Sequence, residues 1–165
     1  MIRFERILFP TDFSEASLKA LPYAAELARL FEAELLFIHV VQPLPPIPGD
    51  YGFETEVIEY AAAMHATAER QLDRLIETRA GDLRTSKILV QGEPAETILR
   101  AVDEYGVDLI TLATHGTTGW RHLLFGSVAE KVVRLAKVPV LTVSEKVVRV
   151  GRNPDEARSA LASLS

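Results

Sequence analysis

Five short apolar runs of strand length, alternating with stretches of helical periodicity, constrain this chain more than any other feature. The runs are Phe4 to Phe9, Glu34 to Val41 (ELLFIHVV), Ser86 to Val90, Asp108 to Ala113 (DLITLA) and Val138 to Val143 (VPVLTV). ELLFIHVV is interrupted only by His39, the pattern of a strand covered on both faces in a parallel sheet. Four helical patterns lie between the runs. The first spans about Ser14 to Phe31, with Leu18, Leu21, Ala25 and Ala28 on one face. The longest runs from Glu54 to about Ala80 on Val57, Ala61, Met64, Ala68, Leu72 and Leu75. The third opens at Pro94 and buries Ile98, Val102 and Tyr105, and the fourth, Val128 to Lys137, turns Val132, Leu135 and Ala136 inward. A β-α-β-α-β-α-β-α-β order demands right-handed crossovers and a parallel sheet with helices on both faces, a doubly wound α/β architecture.

The punctuation agrees with this reading. Pro10 stops the first strand because it has no ladder donor, and Thr11, Asp12 and Ser14 are each able to cap the helix that follows. Pro22 removes a hydrogen bond and costs about 3 kcal/mol inside a regular helix, so a bend or a late start is expected there. QPLPPIPGDYG is too rich in proline and glycine for a helix or a central strand and reads as a surface loop. Gly81 and Gly106 stand where left-handed helix caps belong, Val107 folds back on its helix, and Pro94 suits a first helical position. Residues 1–144 form the expected domain. Residues 145–165 form an extension in which NPDEARSALASL has a capping Asn153, Pro154, and Ala157, Ala160, Leu161 and Leu164 on one face of a short amphipathic helix.

Composition narrows the function. Eighteen basic and twenty-three acidic side chains give a net charge of −5, which argues against a sequence-independent grip on nucleic acid or on an anionic membrane. The absence of cysteine excludes disulfides, thiolate chemistry and cysteine zinc sites; His115 and His122 have no partner at metal-ligand spacing, and four histidines without cysteine make a weak zinc case. MIRFERILFP has no signal-peptide pattern, and no run of about 18 apolar residues occurs, so a cytoplasmic location is expected.

Ligands of open parallel sheets sit beyond the carboxyl ends of the strands, where the strand order reverses. Four stretches are expected to meet there: Pro10-Thr11-Asp12, His39-Val40-Val41, Gln91-Gly92-Glu93 and the opening of Leu112 to Ser127, LATHGTTGWRHLLFGS. Gly116, Gly119 and Gly126 allow positive φ and close backbone approach to a ligand, and Ser127 stands at the mouth of a helix whose unpaired N–H groups suit an anion. Asp12 can accept from a hydroxyl, the backbone of Val40 and Val41 can read the edge of a base, and Gly116, Gly126 and Ser127 supply phosphate donors. A nucleotide fits that distribution. Arg121 stands where it can reach a terminal phosphate. Each residue also has a local explanation: Ser127 and Glu130 have capping-box spacing, Asp12 can be a helix cap, Gly119 can serve a turn, and His39 can be a hydrogen-bonded core residue.

Over nearly its full length, from ILFPTDFSE through LLFIHVV, GEPAETI and GVDLITLATHGTTG to HLLFGSVAEKVVRLAKVPVLTV, the chain resembles the universal stress proteins. The family's ATP-binding members carry G-x2-G-x9-G-[ST]. Gly116, Gly126 and Ser127 match it, whereas Ala113 replaces the first glycine. The resemblance implies an adenine-nucleotide alpha-hydrolase-like fold, an open five-stranded sheet in the order 3-2-1-4-5. It implies a nucleotide site comprising Pro10, Thr11, Asp12, Val40, Ala113, His115, Gly116, Arg121, Gly126, Ser127 and Val128. It also implies a homodimer through strand five, with Val138, Val140, Leu141 and Val143 at the interface. Extended backbone at Ala113 would make the replacement cheap; a need for positive φ or direct ribose contact there would lower affinity. The implied function is a stress-response module that holds ATP, with or without Mg2+, with little turnover and acts on a regulatory partner. A ligand-free interaction dimer is the alternative reading. An ATPase or phosphotransferase ranks last, because Gly126 stands where a phosphate-loop lysine belongs and no Ser-His-Asp pattern occurs.

Overall fold

The computed structural model describes residues 2–43, 54–114 and 126–144. The expected tail helix, most of the proline-rich loop and the middle of the glycine loop, including His115, Gly116, Gly119 and Arg121, lie outside the described residues. The elements are β1 (Arg6–Pro10), α1 (Glu15–Leu18), α2 (Leu21–Phe31), β2 (Glu34–Val41), α3 (Glu54–Arg79), β3 (Thr85–Gln91), α4 (Pro94–Tyr105), β4 (Leu109–Ala113), α5 (Ser127–Leu135) and β5 (Val140–Val143). All strand pairs are parallel and the order is β3-β2-β1-β4-β5, as expected from the alternation and the resemblance.

Alternation along the strands divides the interior in two. Ile7, Phe9, Leu35, Phe37 and Leu109 point to one face, where they meet Leu21, Ala24, Ala25 and Ala28 of α2 and Leu72 of α3. Leu8, Leu36, Ile38, Ile110 and Leu112 point to the other, against Ile98 and Val102 of α4 and Ala129 and Val132 of α5. Burying a large apolar side chain contributes roughly 1.5–3 kcal/mol, so the central strands, apolar on both faces, dominate the stability. Phe9 and Phe37 add an edge-to-face pair with ring centroids 5.5 Å apart.

Proline and glycine shape the helix ends. The first helical stretch is broken into α1 and α2, and Pro22 sits in the opening turn of α2, where the donor it lacks would be unpaired anyway. Ser14 is the cap of α1: its Oγ accepts the Ser17 amide at 3.0 Å. Pro94 opens α4, and Gly106 closes it with φ 61°, its amide donating to Val102 O, while Val107 is buried against the helix. Residues 126–144 then lead through α5 into the edge strand β5.

The structure corrects four expectations. Gly81 is not a left-handed cap, since Gly106 alone among the described glycines has positive φ. A turn closed by Leu83 N–H to Ala80 O at 2.9 Å follows α3 instead, and a Cβ on Gly81 would lie 3.1 Å from Glu77 O. Leu135 is not inward but 49% exposed, because the face of α5 that packs on the core runs through Ala129 and Val132 to Ala136. Met64 is also exposed: the buried stripe of α3 begins at Ala68, and the helix before it stands over the carboxyl ends of the strands. The first strand begins at Arg6 and includes Pro10, whose position at a strand end leaves no ladder donor missing.

Candidate functional site

A cavity of 720 Å³ opens at the carboxyl ends of the strands, across β1 and β4, the pair at which strand order reverses. This is within the range of about 300–1,000 Å³ usual for small-ligand sites. Pro10, Thr11, Asp12 and Phe13 line it after β1; His39, Val40, Val41 and Gln42 at the end of β2; and Leu112, Ala113 and Thr114 at the end of β4. Gly126, Ser127, Val128, Ala129 and Val132 form the α5 wall, and Pro94 and Ile98 the α4 wall. Tyr60, Ala63, Met64, Thr67, Ala68 and Gln71, spaced three and four apart, face it from α3.

The eight described residues of the expected nucleotide site, Pro10, Thr11, Asp12, Val40, Ala113, Gly126, Ser127 and Val128, therefore all line one cavity. Gln91-Gly92-Glu93 does not join them, because each of these residues has another task. Gln91 pairs with Val41 in the sheet, and the Gly92 amide donates to Val41 O at 3.1 Å. A Cβ at Gly92 would meet Thr97 Oγ1 at 2.5 Å. Glu93 caps α4, accepting the Glu96 amide at 2.8 Å; that bond first, and the nearby Lys131 ammonium after it, hold its carboxyl below the usual glutamate range.

The turn after β1 is held by side chains. Buried Thr11 accepts the Phe13 amide on Oγ1 at 3.0 Å and pairs with Ser17 Oγ at 3.1 Å. Asp12 is not the cap of α1; its Oδ1 accepts from the amide and hydroxyl of Ser14 at 3.0 and 2.5 Å. His39 is hydrogen-bonded: Nδ1 lies 2.8 Å from Thr11 O. A carbonyl can only accept, so Nδ1 carries the proton. Phe13 has φ 63°, and its ring centroid lies 4.4 Å from that of His39.

The α5 wall differs from the capping-box reading. Gly126, not Ser127, is the cap residue, in extended conformation with φ −69° and ψ 156°, and no side chain caps the helix. Ser127 is the first helical residue, so Ser127–Glu130 spacing does not make a capping box. Positive φ at Gly126 is likewise not needed, and its amide donates to Thr114 O at 2.6 Å. Glu130 is the first residue of α5 to donate within the helix, to Gly126 O at 2.9 Å. The amides of Ser127, Val128 and Ala129 thus lie outside the helical ladder at the positive end of the helix dipole. Among the described lining residues there is no lysine or arginine, and Asp12 is the one carboxylate. No group of three or more metal-ligating side chains occurs among the described residues.

At Ala113 the motif departure costs the backbone nothing. The residue ends β4 paired with Val143, and its φ is not positive, so its methyl imposes no backbone penalty. Val140, Leu141 and Val143 lie in the edge strand β5 and Val138 just before it; Val143 is buried, whereas Leu141 is 36% exposed. Sequence reasoning missed Phe13 and the α3 wall. Apolar helical spacing is the same whether a face packs on a sheet or overhangs a cleft, and no residue pattern marks Phe13 for a left-handed backbone.

The match to known proteins is extensive. The model of the universal stress protein family matches residues 3–144. A universal stress protein of Methanocaldococcus jannaschii is 32% identical over 86% of this chain and 83% of its own length. The structure of a universal stress protein from Lactobacillus plantarum superposes with a TM-score of 0.71 at 25% identity, covering 87% of this chain and 99% of that one. Another universal stress protein, solved in complex with cAMP, gives a TM-score of 0.58 at 26% identity over 87% of this chain and 98% of its own. With the family model spanning every described strand and helix and a solved member superposing over 87% of the chain, the chain belongs to the universal stress protein family.

Proposed function

We propose that the cavity binds an adenine nucleotide, ATP foremost, with or without Mg2+, and that the protein is a nucleotide-holding regulatory module with little turnover. The observation that carries this is the pairing of two unlike walls across one cavity. On one side stand Asp12 and the Val40 backbone, able to meet a sugar hydroxyl and a base edge. On the other stand the Ser127, Val128 and Ala129 amides at a helix N-terminus, able to meet phosphate. The phosphate wall needs no side-chain cation among the described residues, because helix amides and dipole supply the positive potential. The Gly126 amide, turned to Thr114 O, is the scaffold of that wall and not its donor. Binding of cAMP by a relative of the same fold supports the ligand class.

Two protomers are proposed to join through the edge of β5, where exposed Leu141 and the side of the strand that no described strand pairs offer a partner surface. Bound nucleotide then favours one state of the assembly and is read by a regulatory partner. The test is to denature the purified protein and assay the supernatant for adenine nucleotide, and to melt the emptied protein with and without Mg-ATP. At 100 times Kd the ligand adds about 2.7 kcal/mol, which raises Tm measurably. An empty supernatant together with an unmoved Tm favours the ligand-free interaction dimer.

A further inference from the structure

The turn after β1 holds a feature that the nucleotide reading does not use. Phe13 adopts φ 63°, the left-handed region that glycine occupies freely and an aromatic residue avoids. Four neighbours keep it there. Thr11 Oγ1 accepts its amide and is itself bonded to Ser17 Oγ; Ser17 Oγ donates to Ser14 O at 2.9 Å; Ser14 is bound twice by Asp12. The result is a ring tilted 33° over the His39 imidazole at 4.4 Å, while His39 Nδ1 is tied to Thr11 O. Phe13, His39 and Asp12 all line the cavity. Phe13 also packs against the core on the α2 face, and strain of this kind persists only where the surroundings over-determine it.

Building on the proposed nucleotide site, we propose that Phe13 is the positioning residue of its nucleoside end. Its ring fixes the imidazole face, and its left-handed backbone turns Asp12 into the cavity, so that the wall meeting sugar and base is set before ligand arrives. Preset walls bind more tightly because less freedom is lost on binding.

The test measures ATP, AMP and adenosine affinities for the wild type, Phe13→Gly, Phe13→Leu and Phe13→Tyr. Glycine accepts φ 63° without strain, so the turn keeps its course while the ring is lost; leucine keeps bulk without the ring and serves if the glycine variant does not fold. The expected result is a loss of about tenfold, the scale of one aromatic contact, by the same factor for all three ligands, with Phe13→Tyr restoring wild-type affinity. Unchanged affinity in the folded glycine and leucine variants overturns the proposal. A loss larger for ATP than for adenosine also overturns it, since damage then reaches the phosphate wall, and so does a tyrosine variant that fails to restore binding. A wild type that binds none of the three defeats the nucleotide reading itself, and is seen before any variant is compared.

Discussion

Replacing Thr111 by valine should make this protein more stable. Thr111 lies in the middle of β4, is 0% exposed, and its Oγ1 has no hydrogen-bond partner among the described residues. Ile110 and Leu112 on either side of it point to the α4–α5 face, so Thr111 shares the α2 face with Leu109 and lies beside Leu141 of β5. A buried, unsatisfied hydroxyl carries a desolvation cost of about 1–3 kcal/mol. Valine puts a methyl group where that oxygen stands, keeps β-branching and suits a strand at least as well. After allowing for imperfect fit of the slightly larger methyl, the expected net gain is about 1 kcal/mol, or roughly 2–4 °C in Tm for a chain of this size. Urea unfolding should show a higher midpoint at unchanged m, which separates greater stability from a changed unfolded state. ATP affinity should stay constant, because Thr111 does not line the cavity. A variant less stable by a similar amount would refute the reasoning, since the hydroxyl would then be making a bond whose loss is felt.

Two further outcomes follow from the helix ends and the sheet edge. Glu93→Ala removes the α4 cap and should cost about 0.5 kcal/mol, low for a cap because the carboxylate is half exposed. The folded carboxyl is held below its ordinary value, so its contribution is full above the ordinary glutamate range and lost as pH falls through the folded value. The wild type and variant should therefore converge in acid, and a gap that persists there would contradict the assignment. Val140→Lys charges the edge strand and should convert a dimer to a folded monomer by size exclusion and circular dichroism; a folded variant that remains dimeric places the interface elsewhere.

Much of this fold was legible because the strands are apolar and the helix ends carry distinctive residues. ELLFIHVV coincides with β2 residue for residue, and α4 spans Pro94 to Tyr105 with Gly106 at its left-handed cap, because a proline start and a glycine stop leave little freedom. Pro22 announced a break that the structure makes between α1 and α2. Periodicity shows which face of a helix is apolar, but not how far its neighbour extends, and so Met64 was placed inside when it lies beyond the cover, and Leu135 when it lies off the face of Ala129, Val132 and Ala136. The cap of α5 was misread for a related reason: Ser127 suits a cap by chemistry, yet Gly126, its amide bonded to Thr114 O, takes the cap position and the helix begins one residue earlier, at Ser127. Topology and motif spacing brought Asp12, Val40, Gly126 and Ser127 to the strand ends, where they line the cavity, whereas Phe13 depends on a tertiary network that local pattern does not encode.

The proposed nucleotide site is tested most directly by titrating the purified protein with ATP and with adenosine, alongside Gly126→Val. At φ −69° and ψ 156° valine fits the backbone, so the substitution crowds the α5 wall without forcing the chain out of its path. The account predicts saturable ATP binding to the wild type, and in the variant a weakened ATP affinity with adenosine affinity preserved. Absence of ATP binding to the wild type, or equal ATP affinity in the two proteins, would contradict it.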